Sequence, residues 1–152
     1  MCCDGTLFSK ADIKDEADEA LAQSFGLSTF IHTDDKLYFQ LPCHLLKGCC
    51  SVYDQPRPNV CGSFFCEPLK KVQKNELSFE KAEQLVISTL ALRQEIVEMA
   101  ANIEAFRHYA IPALFKEIDP QPSEMLRKHP ALLIKIVAIK VALSGFSKKF
   151  IT

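Results

Sequence analysis

The seven cysteines of this 152-residue chain all fall in its first half, none later than Cys66. Cys43, Cys49, Cys50, Cys61 and Cys66 crowd into one stretch, CHLLKGCCSVYDQPRPNVCGSFFC, and the adjacent pair Cys2-Cys3 lies near the first residue. Thiolates at that density need a metal, a disulfide partner or a substrate. A thiolate is a soft, charged ligand, and four in a tetrahedral arrangement satisfy Zn²⁺ or one iron of an iron–sulfur cluster. Cys61-x4-Cys66 brings two thiols back over one loop and Cys43-x6-Cys50 does so over another, spacings looser than the CxxC of a zinc ribbon. Adjacent side chains of an extended segment point opposite ways, so both members of Cys49-Cys50 or of Cys2-Cys3 seldom bind one ion. Either one member of each pair is a bystander, or the site is polynuclear.

An odd number of cysteines does not complete a disulfide framework. Asp4 and the lack of a basic-plus-apolar block in the opening residues give no secretory signal, so the expected compartment is the cytoplasm, where thiols stay reduced. His44 and His32 are further candidate donors, because imidazole also binds zinc. His108 and His129 read as solvated. No Ser-His-Asp or Cys-His-Asn arrangement is defensible, since no orienting acid is implied beside Cys43-His44. Asp15-Glu16-Ala17-Asp18 spells a helicase motif, but no GxxxxGK[ST] loop accompanies it, and the tetrapeptide reads as a solvated acidic helix face.

Composition bounds the partners. The formal charge of -1 supplies no positive field for phosphates, so no nucleic acid is expected. The longest apolar run, Ala131 to Leu143, is too short for a bilayer and contains Lys135 and Lys140, so no membrane span is expected.

The elements that must position the thiols follow from pattern. Thr6-Leu7-Phe8 reads as a strand after an Asp-Gly turn, and a short acidic helix is expected from about Lys14 to Phe25 with Gly26 as its stop. Leu37, Phe39 and Leu41 alternate as a strand leading to Pro42-Cys43. The cysteine segment, rich in Gly, Pro, Asp and Asn, is expected to be a loop-rich knuckle. Ser78 reads as an N-cap, and apolar residues from Ala82 to Phe106 recur every three or four positions, which predicts one helix of roughly 30 residues to about Tyr109, some 45 Å long. Asp119-Pro120-Gln121-Pro122 breaks the chain, Ser123 caps a short turn, and Pro130 opens a last helix to about Leu143, ending at Gly145. Its Ile136-Val137-Ala138-Ile139 run also fits a buried strand. The long helix is expected to pack its apolar stripe on the last one.

Cys2-Cys3-Asp4-Gly5-Thr6-Leu7-Phe8, followed by Pro42-Cys43-x6-Cys50-Ser51-Val52-Tyr53-x3-Arg57-Pro58-x2-Cys61-x2-Phe64-x-Cys66, resembles the YkgJ-type cysteine-cluster family. This is the CxxCxxCC zinc- or iron-chelating domain, a group that includes flagellin lysine N-methylases. The likeness covers residues 1–70, with three residues rather than the family's two between Tyr53 and Arg57, and with Met1 where the family carries further cysteines upstream of the pair. The resemblance implies a bound zinc ion or iron–sulfur cluster. It names Cys3, Cys43, Cys50, Cys61 and Cys66 as ligands, with Cys2 next. Cys49, where the family has no cysteine, is a further candidate that would replace a missing ligand. Arg57 offsets thiolate charge and donates hydrogen bonds to sulfur, and Pro58 fixes the backbone entering the Cys61 turn.

The expected fold class is therefore α+β, mainly helical. A cysteine-cluster metal-binding region with short strands spans residues 1–70, and a hairpin-like helical region spans residues 71–152 and packs on it. The leading function is metal binding, structural or electron-carrying, with the helical half as scaffold or surface for a protein partner. The alternatives are a methyltransferase-like enzyme using S-adenosylmethionine and an iron–sulfur cluster, suggested by the relatives alone, and a metal-handling chaperone.

Overall fold

The computed structural model describes residues 1–147. The fold is α+β and mainly helical, and the chain divides into two units, Met1–Phe64 and Phe65–Thr152.

The first unit is built on an antiparallel sheet of order β1–β3–β2, with β1 at Lys10–Asp12, β2 at Thr29–Ile31 and β3 at Leu37–Gln40. Helix α1, Glu16–Ser24, links β1 to β2. It starts where the Asp15 carboxylate accepts the Asp18 N–H at 2.9 Å and stops before Gly26, whose φ of +66° few other residues adopt. The alternation along β3 turns Phe39 and then Leu41 into a core shared with Ile13, Ala22 and Leu27. On the opposite face, Lys10 Nζ lies 4.0 Å over the Tyr38 ring. The Tyr38 hydroxyl donates to Asp34 Oδ2 at 2.6 Å, a bond that holds the Asp34 carboxyl below its ordinary range and pushes the Tyr38 phenol up to about 12.

Three small elements complete this unit: β4 at Leu46–Lys47, β5 at Cys49–Cys50 and α2 at Asn59–Ser63. The strand expected at Thr6-Leu7-Phe8 is not formed. Asp4 Oδ1 accepts the Thr6 N–H at 2.9 Å and Gly5 turns at φ +79°, so the segment is spent on a local turn and the strand begins at Lys10.

The second unit is helical: α3 Glu67–Gln73, α4 Phe79–Ala101, α5 Ile111–Lys116, α6 Glu124–Arg127 and α7 Pro130–Ser144. Ser78 and Ser123 act as the expected caps, their hydroxyls accepting the N–H of Lys81 at 3.3 Å and of Leu126 at 3.2 Å. Helix α4 ends eight residues short of Tyr109, at Ala101, and spans about 35 Å rather than 45 Å. Asn102 Nδ2 donates to Glu98 O at 2.8 Å and satisfies a terminal carbonyl. The chain then advances by three-residue closures, Ile103 N to Ala100 O, Phe106 N to Ile103 O and Tyr109 N to Phe106 O. Those closures keep the apolar spacing that mimics a continuing helix. His129, expected to be solvated, is half-buried with its ring 6.1 Å from that of Phe106.

Helix α7 is a helix from Pro130 and caps at Gly145, so the strand alternative for 136–139 is not taken. Helix α4 packs along it, and Glu95 pairs with Lys135 between them. Leu132, Ile136, Ile139 and Leu143 are fully buried, at the 4-3-4 spacing of one helix face. Ile134, Val137 and Val141 leave a second, exposed apolar stripe on the same helix. Among the described residues, no helix is long and apolar enough to cross a membrane.

Candidate metal centre

The N-terminal turn, β5 and α2 each carry cysteines though too short to be stable alone, and β4 pairs with β5. The turn at Gly5 folds the opening residues back, and the Cys43 N–H donates to Cys3 O at 2.7 Å, which places the two residues side by side. Cys43 itself packs partly buried against the Phe39–Leu41 core, so its position is set by the sheet. Its carbonyl accepts the Leu46 N–H at 3.1 Å and starts the β4–β5 hairpin, which turns at Gly48 with φ +79°. Within that hairpin Leu46 faces Cys50 and Lys47 faces Cys49. The strand alternation separates the two neighbours: Cys50 is half-buried and Cys49 exposed.

Cys61 arrives on α2. The Cys61 N–H donates to Pro58 O at 2.9 Å, and Pro58 is fully buried. The start of the helix is held by Asp18, whose Oδ1 accepts the Asn59 N–H at 2.8 Å and whose Oδ2 accepts the Lys14 N–H at 3.3 Å. Lys14 Nζ adds a bond to Asn59 Oδ1 at 2.8 Å. Just after the helix, the Phe64 ring meets the Phe8 ring edge-on at 5.0 Å. The acidic tetrapeptide is thus not a solvated face throughout. Asp18 is 5 % exposed and ties α1 to the segment bearing Cys61, a role that spacing does not reveal because its partner is 41 residues away. Asp18→Ala should leave the half-buried Asn59 and Lys14 N–H bonds unmade and destabilise the first unit by roughly 1–3 kcal/mol. Asp18→Asn, which keeps one acceptor oxygen, should lose less, as urea titration of both variants will read.

The thiols of Cys43 and Cys50 act on Cys3, and those three act on Cys61. Crowding by protein atoms pushes the Cys61 thiol up to about 11, helped by negative charge on Cys3, Cys43 and Cys50 and opposed by the Arg57 guanidinium. Cys3 is raised for the same reasons, burial first and then Cys43 and Cys50. Both residues keep solvent-accessible surface while protein crowds the sulfur. A raised thiol pKa favours the protonated folded state, so this contribution to stability is full below pH 9.0 and is lost as pH climbs through about 11. Metal-free protein should therefore lose stability across that window more steeply than metal-free Cys61→Ser. Denaturant midpoints at stepped pH will show the difference in slope.

All seven cysteines are present as thiols. Among the described residues, no group of three or more His, Cys, Asp or Glu side chains stands close enough to hold a metal ion as the chain lies. The donor set nevertheless suits a soft metal: four thiols within range of each other's charge, with a cation beside one of them. Cys2 is half-buried, and its carbonyl accepts the Gly5 N–H at 3.4 Å. Cys66 belongs to the second unit, where it is the N-cap residue of α3. His44 is exposed, and His32 lies among Phe30, Tyr38 and Asp34 on the sheet. An open cleft of about 490 Å³ beside α1 is lined by Asp12, Lys14, Asp15, Glu19 and Lys36 among others, and by no cysteine. Compared with family models, curated proteins and solved structures, the chain matches none.

Proposed function

We propose that the protein binds a metal, as a zinc ion or an iron–sulfur cluster, through the thiolates of Cys3, Cys43, Cys50 and Cys61. The role we assign is structural or electron-carrying. The observation that supports this reading most is the convergence of three separate segments, the N-terminal turn, the 43–50 hairpin and α2, in which Cys43 and Cys50 act on Cys3 and all three act on Cys61. Four thiols that only filled space would gain nothing from being brought within each other's field, whereas a divalent cation turns that repulsion into attraction. The likeness to the cysteine-cluster family points the same way. Cys2 is the reserve donor within the same unit.

The residues divide the work simply. Cys43 is anchored by packing on the sheet core and by backbone bonds to Cys3 and Leu46, and Cys50 by the hairpin; Cys3 and Cys61, the more accessible pair, would give up their protons to hold the ion. A bound zinc would supply a tetrahedral cross-link, and a cluster would supply a one-electron carrier. Metal analysis and visible spectroscopy of anaerobically purified protein test the proposal. About one zinc per chain, or broad visible absorption from thiolate-bound iron, supports it. Protein that carries no metal and takes up neither zinc nor cobalt overturns it.

A further inference from the structure

We propose that Tyr53 and Arg57 form a clasp that sets the separation of Cys50 and Cys61, making both of them positioning residues of the metal centre; this rests on the thiolate reading above. The Arg57 guanidinium carbon lies 4.5 Å from the centroid of the Tyr53 ring, within cation–π range. Tyr53 is 68 % exposed, so burial of its ring does not account for its placement. What does account for it is its neighbours on either side. The Tyr53 N–H donates to Cys50 O at 3.3 Å, and the residue after Arg57, Pro58, accepts the Cys61 N–H at 2.9 Å. Cys50, Tyr53, Arg57-Pro58 and Cys61 are therefore linked in series, and the ring–guanidinium stack spans the intervening loop beside the turn that the Gln55 N–H closes on Val52 O at 3.1 Å. Without the stack, the loop of Asp54, Gln55 and Pro56 loses its side-chain cross-link, and ordering it costs entropy each time the site forms.

The same contact gives Arg57 a second use. Its charge opposes the crowding that raises the Cys61 thiol, so the clasp delivers a cation where thiolate charge must collect. Lysine cannot replace it fully, because an ammonium supplies charge without the flat guanidinium face that stacks on the ring. A pure charge-offset role and a clasp thus make different predictions. Under the clasp, the tyrosine ring matters although it bears no charge; under charge offset alone it does not.

Zinc affinity by chelator competition, with the thiolate-to-cobalt absorption band as a second readout, tests this in five chains. Tyr53→Ala and Arg57→Ala should each weaken zinc binding about 10–100-fold, the range found when groups supporting metal ligands are lost. They should also lower the cobalt–thiolate band at equal cobalt occupancy, because fewer sulfurs reach the ion. Tyr53→Phe, which keeps the ring, should match the parent chain, and Arg57→Lys should fall between the parent and Arg57→Ala. Tyr53→Ala with parental affinity and band overturns the clasp even if Arg57→Ala is impaired. A parent chain with no thiolate–cobalt band overturns the metal reading as well, so the two failures are distinguishable. Because Tyr53 is exposed, its truncation leaves no core cavity, and unchanged helical circular dichroism will confirm that the fold is intact.

Discussion

Cys43→Ser should abolish stoichiometric metal binding, while Cys49→Ser should leave the metal content of the protein unchanged. The contrast is sharp because the two residues are close in sequence and opposite in setting. Cys43 is seated against the core of the first unit, its N–H bonded to Cys3 O and its carbonyl to the Leu46 N–H, so its sulfur starts from a fixed base. Its charge acts on both Cys3 and Cys61, in each case more strongly than that of Cys50. Serine at this position preserves size and backbone bonds but is a poor ligand for zinc or iron. Binding of structural zinc supplies about 10–16 kcal/mol in small zinc-dependent peptides, so loss of one thiolate from four is expected to drop affinity by orders of magnitude. Cys49 stands exposed opposite Lys47, on the side of β5 away from Cys50. Inductively coupled plasma analysis of both variants, purified in parallel without oxygen, decides the matter. Retained zinc in Cys43→Ser, or lost zinc in Cys49→Ser, would reverse the assignment.

What was legible in the sequence was the local physics. Ser78 and Ser123 cap helices because a side-chain oxygen three residues from an unmet N–H needs no tertiary information. Pro130 and Gly145 mark α7 for equally local reasons. Apart from the local turn at Asp4–Thr6, the failures involve partners distant in sequence or patterns with two realisations. Ile103 and Phe106 continue a helical spacing through turns, so the end of α4 was invisible to periodicity. Strand β2 pairs Thr29 with Phe39 at the sheet edge, a pairing that depends on a strand after it. Asp18 looked like one more surface acid until Asn59 was beside it.

The site shows the same division. That cysteines would gather was plain from their density, but which of two adjacent cysteines faces inward depends on strand register. The pairing of Leu46 with Cys50 and of Lys47 with Cys49 supplies that register. Motif likeness grouped Cys66 with the others; the fold puts it at the head of α3 in the second unit, where its part in a metal centre needs its own test.

Ile136→Ala should destabilise the helical unit by about 2–5 kcal/mol, whereas Ile134→Ala, two residues earlier, should cost well under 1 kcal/mol. Helix α7 is apolar on nearly every side, so composition cannot separate these two isoleucines. The structure does: Ile136 is 0 % exposed and Ile134 is 68 % exposed. Truncating Ile136 opens a cavity in the buried face of α7, the helix against which α4, α5 and α6 pack, and close-packed helices relax only partly into such a void. Truncating Ile134 removes area that was already in water. For a unit of this size the first change should lower the melting temperature by at least about 8 °C and the second should barely move it. Equal effects would mean that the exposed stripe of Ile134, Val137 and Val141 is covered in solution. Neither variant touches a cysteine, so zinc uptake by the first unit should survive in both. A helical variant that loses its metal would show instead that the two units do not hold their functions separately.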